Sequence, residues 1–437
     1  MRQTFVRPLA LRPWRAVALA IGLALLACQP SPQPAQAPKA AEPAKPAGPP
    51  AAVPAPVTKS AEQPKPAALA EPLKVGTILS TSGPPAYLGD KMKKGLELAI
   101  EELNAAGGIG GRKIEWFFYD AAFDSAQAVN QTRRLLTQDK VDVIVGGGSA
   151  SGIALAMAPV AEEAGVVFMA TEGARQIVEP VDKRRYVFKA TFNDTEIVER
   201  TIQFWKKKGI TKVAFLPDTS GFGQSALEVL KELAPKHGIE LFVETFDPAV
   251  QDMTPQLTRL AARNPQTYLA WTATPAGVIF LKNAKQLNVG DKALIQHGFG
   301  FVDDRFMKQA GDAAVGSLLT SPKLPVYDQL PDADPVKARA TKFADAYKRK
   351  FNEEPNVYAG QTYDGMYLVA EAVRRAGTAK SDALRQELEK LVDFVGVTGV
   401  HTFSAQKHAG LQTHDAVIIR WNGTRFELAD YEPRPMR

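Results

Sequence analysis

The stretch Gly146-Gly147-Gly148-Ser149-Ala150-Ser151-Gly152 is the part of this sequence best suited to hold a small anion. It follows an apolar run and opens a helical one. Free backbone N–H groups at a helix start, joined by a serine hydroxyl, suit a carboxylate. Two other chemistries fail on spacing. A dinucleotide fingerprint needs G-x-G-x-x-G; from Gly146 the last place holds Ser151, and from Gly147 the middle glycine is Ser149. A hydrolase elbow needs G-x-S-x-G; from Gly147 the serine fits, but Ser151 stands at the closing place. A serine N-cap beside a tight turn gives the same composition, so anion pocket and cap both stand at this level.

Other chemistry-bearing residues exclude more than they suggest. His237, His297, His401, His408 and His414 show neither H-x-x-H nor H-x-x-x-H spacing and have no cysteine partner, so no metal is expected. Asp120, Asp218 and Asp364 are scattered and read as turn or cap residues. Phosphate-loop, kinase and paired-carboxylate signatures are lacking, so neither a cofactor nor an enzyme activity is expected.

The elements that would position the glycine loop alternate. Strand patterns at 73–79, 114–119, 141–145 and 166–169 are separated by helical patterns at 88–103, 125–137 and 152–163. A second round follows residue 189, with helical patterns at 195–208, 223–236, 255–262 and 275–287. Its strand patterns fall at 212–216, 240–245, 267–271 and 293–296. Helices are expected at 334–351 and 362–375, and Asn422-Gly423 between 417–421 and 424–428 marks a hairpin. Such alternation predicts an α/β fold with doubly wound parallel sheets.

Length and composition agree. The chain has 437 residues, 45% of them hydrophobic, and exceeds what one core usually covers, so two lobes are expected. Its net charge of +6 owes four charges to Arg2, Arg7, Arg12 and Arg15; without them 49 bases face 47 acids. Nucleic acid is therefore not an expected partner. Residues 1–27 read as an export signal, a basic segment and then an apolar core too short to span a bilayer. It ends at Leu25-Leu26-Ala27-Cys28, which resembles a bacterial lipobox, with Cys28, the only cysteine, as the lipidated residue. Thirteen of the 32 prolines fall between residues 29 and 72, so 28–72 reads as an extended tether reaching at most about 100 Å.

The head resembles the type I periplasmic-binding fold, the substrate-binding component of ABC transporters for branched-chain amino acids and amides. The resemblance rests on the order of short stretches along the head. Lys74-Val75-Gly76, Ser82-Gly83-Pro84, Ala105-Ala106-Gly107-Gly108-Ile109 and Ala158-Pro159-Val160 come first. Gly221-Phe222-Gly223, Gly311-Asp312-Ala313-Ala314-Val315-Gly316, Tyr363-Asp364 and Thr402-Phe403-Ser404 follow. It implies two lobes joined by three crossovers near Ala190, Thr320 and Thr398. Lobe one would hold 73–190 plus 321–398, and lobe two 191–320 plus 399–437. It further implies hinge closure on a small ligand and delivery to permease and ATPase subunits. The head is expected to be monomeric, outside the cytoplasm, and held to the membrane only through its lipid.

Site residues carried over by that resemblance are Ser151 and Gly152 for a ligand carboxylate, then Glu172, Gly173 and Ala174 after the next strand. Ala174 stands where the family carries a hydroxyl. In the second lobe come Phe222, where tyrosine is common, and Ala273 or Thr274 as wall, with Tyr358 as another aromatic wall. Amino-acid binders pair the ligand ammonium with a glutamate, whose position is read here as His297. Imidazole cannot replace a carboxylate there. Either the ligand is an organic acid, aromatic acid or amide, or Glu172 or Asp364 supplies the charge and amino acids bind. A sensor head without import shares the fold, and a hydrolase or dehydrogenase is the remaining alternative.

Overall fold

The computed structural model describes residues 71–83 and 86–434. The expected leader, Cys28, the tether up to residue 70 and Pro84 lie outside the described residues. Leu73–Leu79 forms β1, followed by α1 (Ala86–Ala105), β2 (Ile114–Asp120), α2 (Ser125–Arg134), β3 (Val143–Gly147), α3 (Ser151–Ala164), β4 (Val167–Ala170) and β5 (Val187–Lys189). The strands pair in parallel in the order β2-β1-β3-β4-β5. β3 and β4 are apolar and buried on both faces, as a covered parallel sheet requires. Asp124 caps α2 by accepting from the Gln127 amide, and Gly165, in a left-handed conformation, ends α3.

The second round runs α4 (Asp194–Lys207), β6 (Lys212–Pro217), α5 (Gly221–Lys236), β7 (Glu240–Val243), α6 (Thr254–Ala261), β8 (Thr267–Trp271) and α7 (Ala276–Gln286). It continues through β9 (Leu294–His297), α8 (Asp304–Ala310) and β10 (Leu318–Ser321). After it come α9 (Pro335–Phe351), α10 (Val357–Ala376), α11 (Ser381–Glu389) and a short pair, β11 (Phe394–Val395) and β12 (Val400–His401). The chain ends on β13 (Val417–Trp421) and β14 (Phe426–Asp430). The second sheet has the order β14-β13-β10-β9-β8-β6-β7. Its parallel part stops at β10. The expected hairpin, β13 and β14, adds two antiparallel strands at that edge, so this sheet is mixed rather than all parallel.

Both sheets carry helices on both faces. In β6, Val213 and Phe215 join the core under α4 and α5, while Ala214 and Leu216 join the one under α6 and α7. The first sheet alternates likewise. Val143 and Val145 meet residues of α1, α9 and α10, and Ile144 meets residues of α2 and α3. α1 packs on α10 through Gly95, where an added Cβ would lie 2.0 Å from the Ala359 carbonyl oxygen. Only glycine permits that approach.

The chain passes between sheets after β5, after β10 and before β13. The last passage comes later than residue 398. Val400 and Phe403 pack in the first sheet's core, and the Lys189 amide donates to the His408 carbonyl at 2.8 Å. Residues 400–409, expected with the second lobe, therefore side with the first. Asp364 of α10 pins this region, accepting from the amides of Val397 at 2.7 Å and Thr398 at 2.9 Å.

Candidate functional site

β3 ends in the glycine loop, whose backbone turns through positive φ at Gly146, Gly148 and Ser149. The amides it exposes are already bonded. The Glu172 carboxylate, from the segment after β4, accepts from Gly147 N at 3.1 Å and Ser149 N at 3.2 Å. Thr171 adds its amide at 2.9 Å and its hydroxyl at 3.1 Å. A Cβ at Gly147 would stand 2.2 Å from Glu172 Oε2 and 2.8 Å from Ala154 Cβ, so a larger residue there would displace the carboxylate. Burial still pushes the Glu172 carboxyl above its ordinary value, against four donors that pull it down. The cradle read as a ligand anion pocket thus holds the chain's own carboxylate. Asp364, the other candidate for a free negative charge, is committed to residues 397 and 398.

The start of α3 remains for a ligand. The cap position is Ala150, which makes no side-chain cap bond, so Ser151 is the first helical residue and not the N-cap. Its Oγ, 4% exposed as a residue, accepts from Ala174 N at 3.2 Å, which leaves its own O–H to donate. Gly152 is exposed, and α5 approaches it closely: a Cβ on Gly221 would lie 3.4 Å from Gly152 N. Ala174 offers a backbone donor but no side-chain hydroxyl. Gly173 faces rings, since a Cβ there would meet Phe299 Cζ at 2.6 Å and Phe222 Cε2 at 2.7 Å.

Those rings form a cluster at the ends of β8 and β9. Phe222, on the first turn of α5, lies 5.6 Å from Trp271 and 5.3 Å from Phe299, centroid to centroid. Trp271 Nε1 is buried without a hydrogen-bond partner among the described residues. On the other flank the Tyr358 hydroxyl donates to Gly300 O at 2.5 Å, and the Tyr87 hydroxyl donates to Ala273 O at 3.2 Å. Trp271, Phe299 and Tyr87 were not singled out from sequence. An aromatic directly before a glycine, the pattern of Phe222-Gly223, recurs at Phe299-Gly300 and could have found Phe299; Trp271 precedes Thr272 and carries no such signal.

Two expected site residues sit elsewhere. His297 is buried in the core of the second sheet, stacked on Phe301 at 4.3 Å and edge-on to Phe280 at 5.2 Å. Burial alone pulls its imidazole down to about 3, so it is neutral. The residue that meets the 171–174 segment is Phe299, two positions on, because Gly298 turns the chain off the sheet. Thr274 spends its hydroxyl on its surrounding loops, donating to Pro248 O of the loop after β7 at 3.1 Å and sitting 3.0 Å from Thr272 Oγ1. The site so assembled has a serine hydroxyl and helix-start amides at one end and apolar rings at the other. Ser151 has a backbone N–H, not a base, as its partner, which gives no means of activating a nucleophile.

Comparison with known proteins agrees with this architecture. A model of the periplasmic binding protein family matches residues 72–425. A Leu/Ile/Val-binding protein homolog 7 of Brucella abortus is 26% identical over 341 residues, 75% of this chain and 83% of the relative. The leucine-, isoleucine-, valine-, threonine-, and alanine-binding protein of Pseudomonas aeruginosa is 26% identical over 365 residues, 82% of this chain and 93% of that one. Among solved structures, an extracellular ligand-binding receptor from Rhodopseudomonas palustris superposes with a TM-score of 0.74 at 27% identity, covering 82% of this chain and 99% of its own. The branched-chain amino acid transporter substrate binding protein LivJ from Streptococcus pneumoniae, in complex with isoleucine, gives a TM-score of 0.69 at 29% identity with coverage of 82% and 99%. With two doubly wound sheets, three passages between them and a matching model across nearly the whole head, this chain has the type I periplasmic binding fold and belongs to the periplasmic binding protein family.

Proposed function

We propose that this protein captures a small carboxylate-bearing molecule between two lobes by hinge closure and delivers it to an ABC permease driven by ATPase subunits. The family implies an extracytoplasmic location and a small-molecule ligand. Lobe one comprises 73–190, 321–398 and the adjoining stretch up to about 409; lobe two comprises 191–320 and the remainder. Cys28 anchors the head through a lipid, with 28–72 as spacer. The observation that carries the reading is Ser151: a buried hydroxyl with a proton to give, at the start of α3, facing the start of α5 from the other sheet. Ligands of open α/β sheets bind at such strand ends.

The ligand is an organic or aromatic acid, or an amide, in preference to an α-amino acid. What supports this is that Gly173, next to Ala174, meets the rings of Phe222 and Phe299 rather than a carboxylate, and that Glu172 is spent on its own backbone. Calorimetric titration with benzoate, simple aliphatic acids, leucine and valine tests this. The expected result is binding of an acid lacking an amino group, weakened by about 1–3 kcal/mol in Ser151→Ala. Tight leucine binding that disappears in Glu172→Ala would refute the preference for acids. Unchanged affinity in Ser151→Ala would remove that hydroxyl from the site.

A further inference from the structure

Lys189, the last residue of β5, is fully buried, yet its ammonium meets carbonyls instead of a carboxylate. Nζ lies 2.8 Å from Gly173 O, 2.9 Å from Ala174 O and 3.5 Å from Phe192 O. An ammonium has three N–H donors, so these three carbonyls match its capacity. Two of them belong to consecutive peptide units of the ligand-site segment; the third lies in the first passage between the sheets.

A trans peptide unit points its C=O and its N–H in opposite directions. The carbonyl of Gly173 shares a unit with the N–H of Ala174, and that of Ala174 with the N–H of Arg175. An ammonium that draws both oxygens to one side turns both N–H groups to the other. The observed partners fit: Ala174 N donates to Ser151 Oγ at 3.2 Å, and Arg175 N donates to Ser225 Oγ of α5 at 3.2 Å. The first bond sets the hydroxyl of the candidate site. The second reaches the helix of the opposite sheet.

We propose that Lys189 is the positioning residue of the ligand site, aiming the amides of Ala174 and Arg175 at Ser151 and Ser225 and fastening them to the first passage. Burial pulls its ammonium down from the ordinary lysine value, and the carboxylates of Asp194, Glu196, Glu179 and Glu172 oppose that shift. Lys189 Nζ serves 173 and 174, while Glu172 serves 147 and 149, so the two loops have separate fasteners. The inference rests on reading Ser151 and Ala174 as site residues, but its test needs no ligand, so a failed ligand titration and a failed test here are told apart.

Hydrogen exchange resolved to single amides, on the full protein, reads the effect. In Lys189→Met, protection at 174 and 175 is expected to fall roughly tenfold or more, with 147 and 149 unchanged. In Glu172→Gln the pattern reverses. Should Lys189→Met fail to fold, the wild type at rising pH substitutes: as Lys189 loses its proton below the ordinary lysine range, protection at 174 and 175 falls before that at 147 and 149. Equal loss at all four amides, or none at 174 and 175, overturns the proposal.

Discussion

Glu172 brings a carboxylate to donors that a ligand's acid group would otherwise meet. Replacing it with alanine leaves the buried amides of Gly147 and Ser149 without an acceptor, and each orphaned group costs about 1–3 kcal/mol. Glu172→Ala is therefore expected to lower the urea midpoint without changing its slope. His297 makes a pH prediction. Its imidazole is held near 3 when folded, against about 6.5 when unfolded. Between those values the unfolded chain binds more protons, so stability falls as pH drops below about 6.5, by up to about 1.4 kcal/mol per pH unit. A His297→Met variant should lose that acid slope, as read by denaturant midpoints at neutral and mildly acid pH. Residue types alone pointed to the stretch around 151, whereas 172 and 222 came from the family resemblance. Neither showed that Glu172 faces its own backbone, nor which residue of His297-Gly298-Phe299 meets the 171–174 segment. Alternation ends where a strand ends, and Gly298 resets direction beyond it.

At the scale of elements, close contacts between helices decide what can move. α1 and α10 touch backbone to backbone at Gly95, so Gly95→Ala must force them apart; overpacking of this kind costs about 1–3 kcal/mol or more. A lowered thermal midpoint with unchanged secondary structure is the expected readout. β1, β8 and β13 run between the limits that their apolar character predicts, because turn residues flank each. β5 escaped detection because it has three residues and ends in a buried lysine that reads as a boundary. α10 begins at Val357, earlier than the expected 362, because Asn356 caps it by accepting from Ala359 N while Gly360 hides the pattern. α11 shows only Leu384 and Leu388 on its buried side, too few to register as periodic.

At the scale of the whole molecule, two sheets meet at their strand ends, and the segments around Ser151 and Gly173 lie against those around Gly221, Phe222 and Phe299. A ligand that touches both sides can favour a closed arrangement only by as much as its differential affinity for that arrangement. The alternation of strand and helix patterns made the doubly wound plan legible. The antiparallel edge was legible only as a hairpin, since pairing of β13 with β10 joins residues a hundred positions apart. Small-angle scattering of the purified protein across a panel of small carboxylates is the most direct test. The radius of gyration should shrink with at least one acid, and the same acid should leave Ser151→Ala expanded at matched concentration. Curves that stay superimposable for every acid supplied would contradict the account.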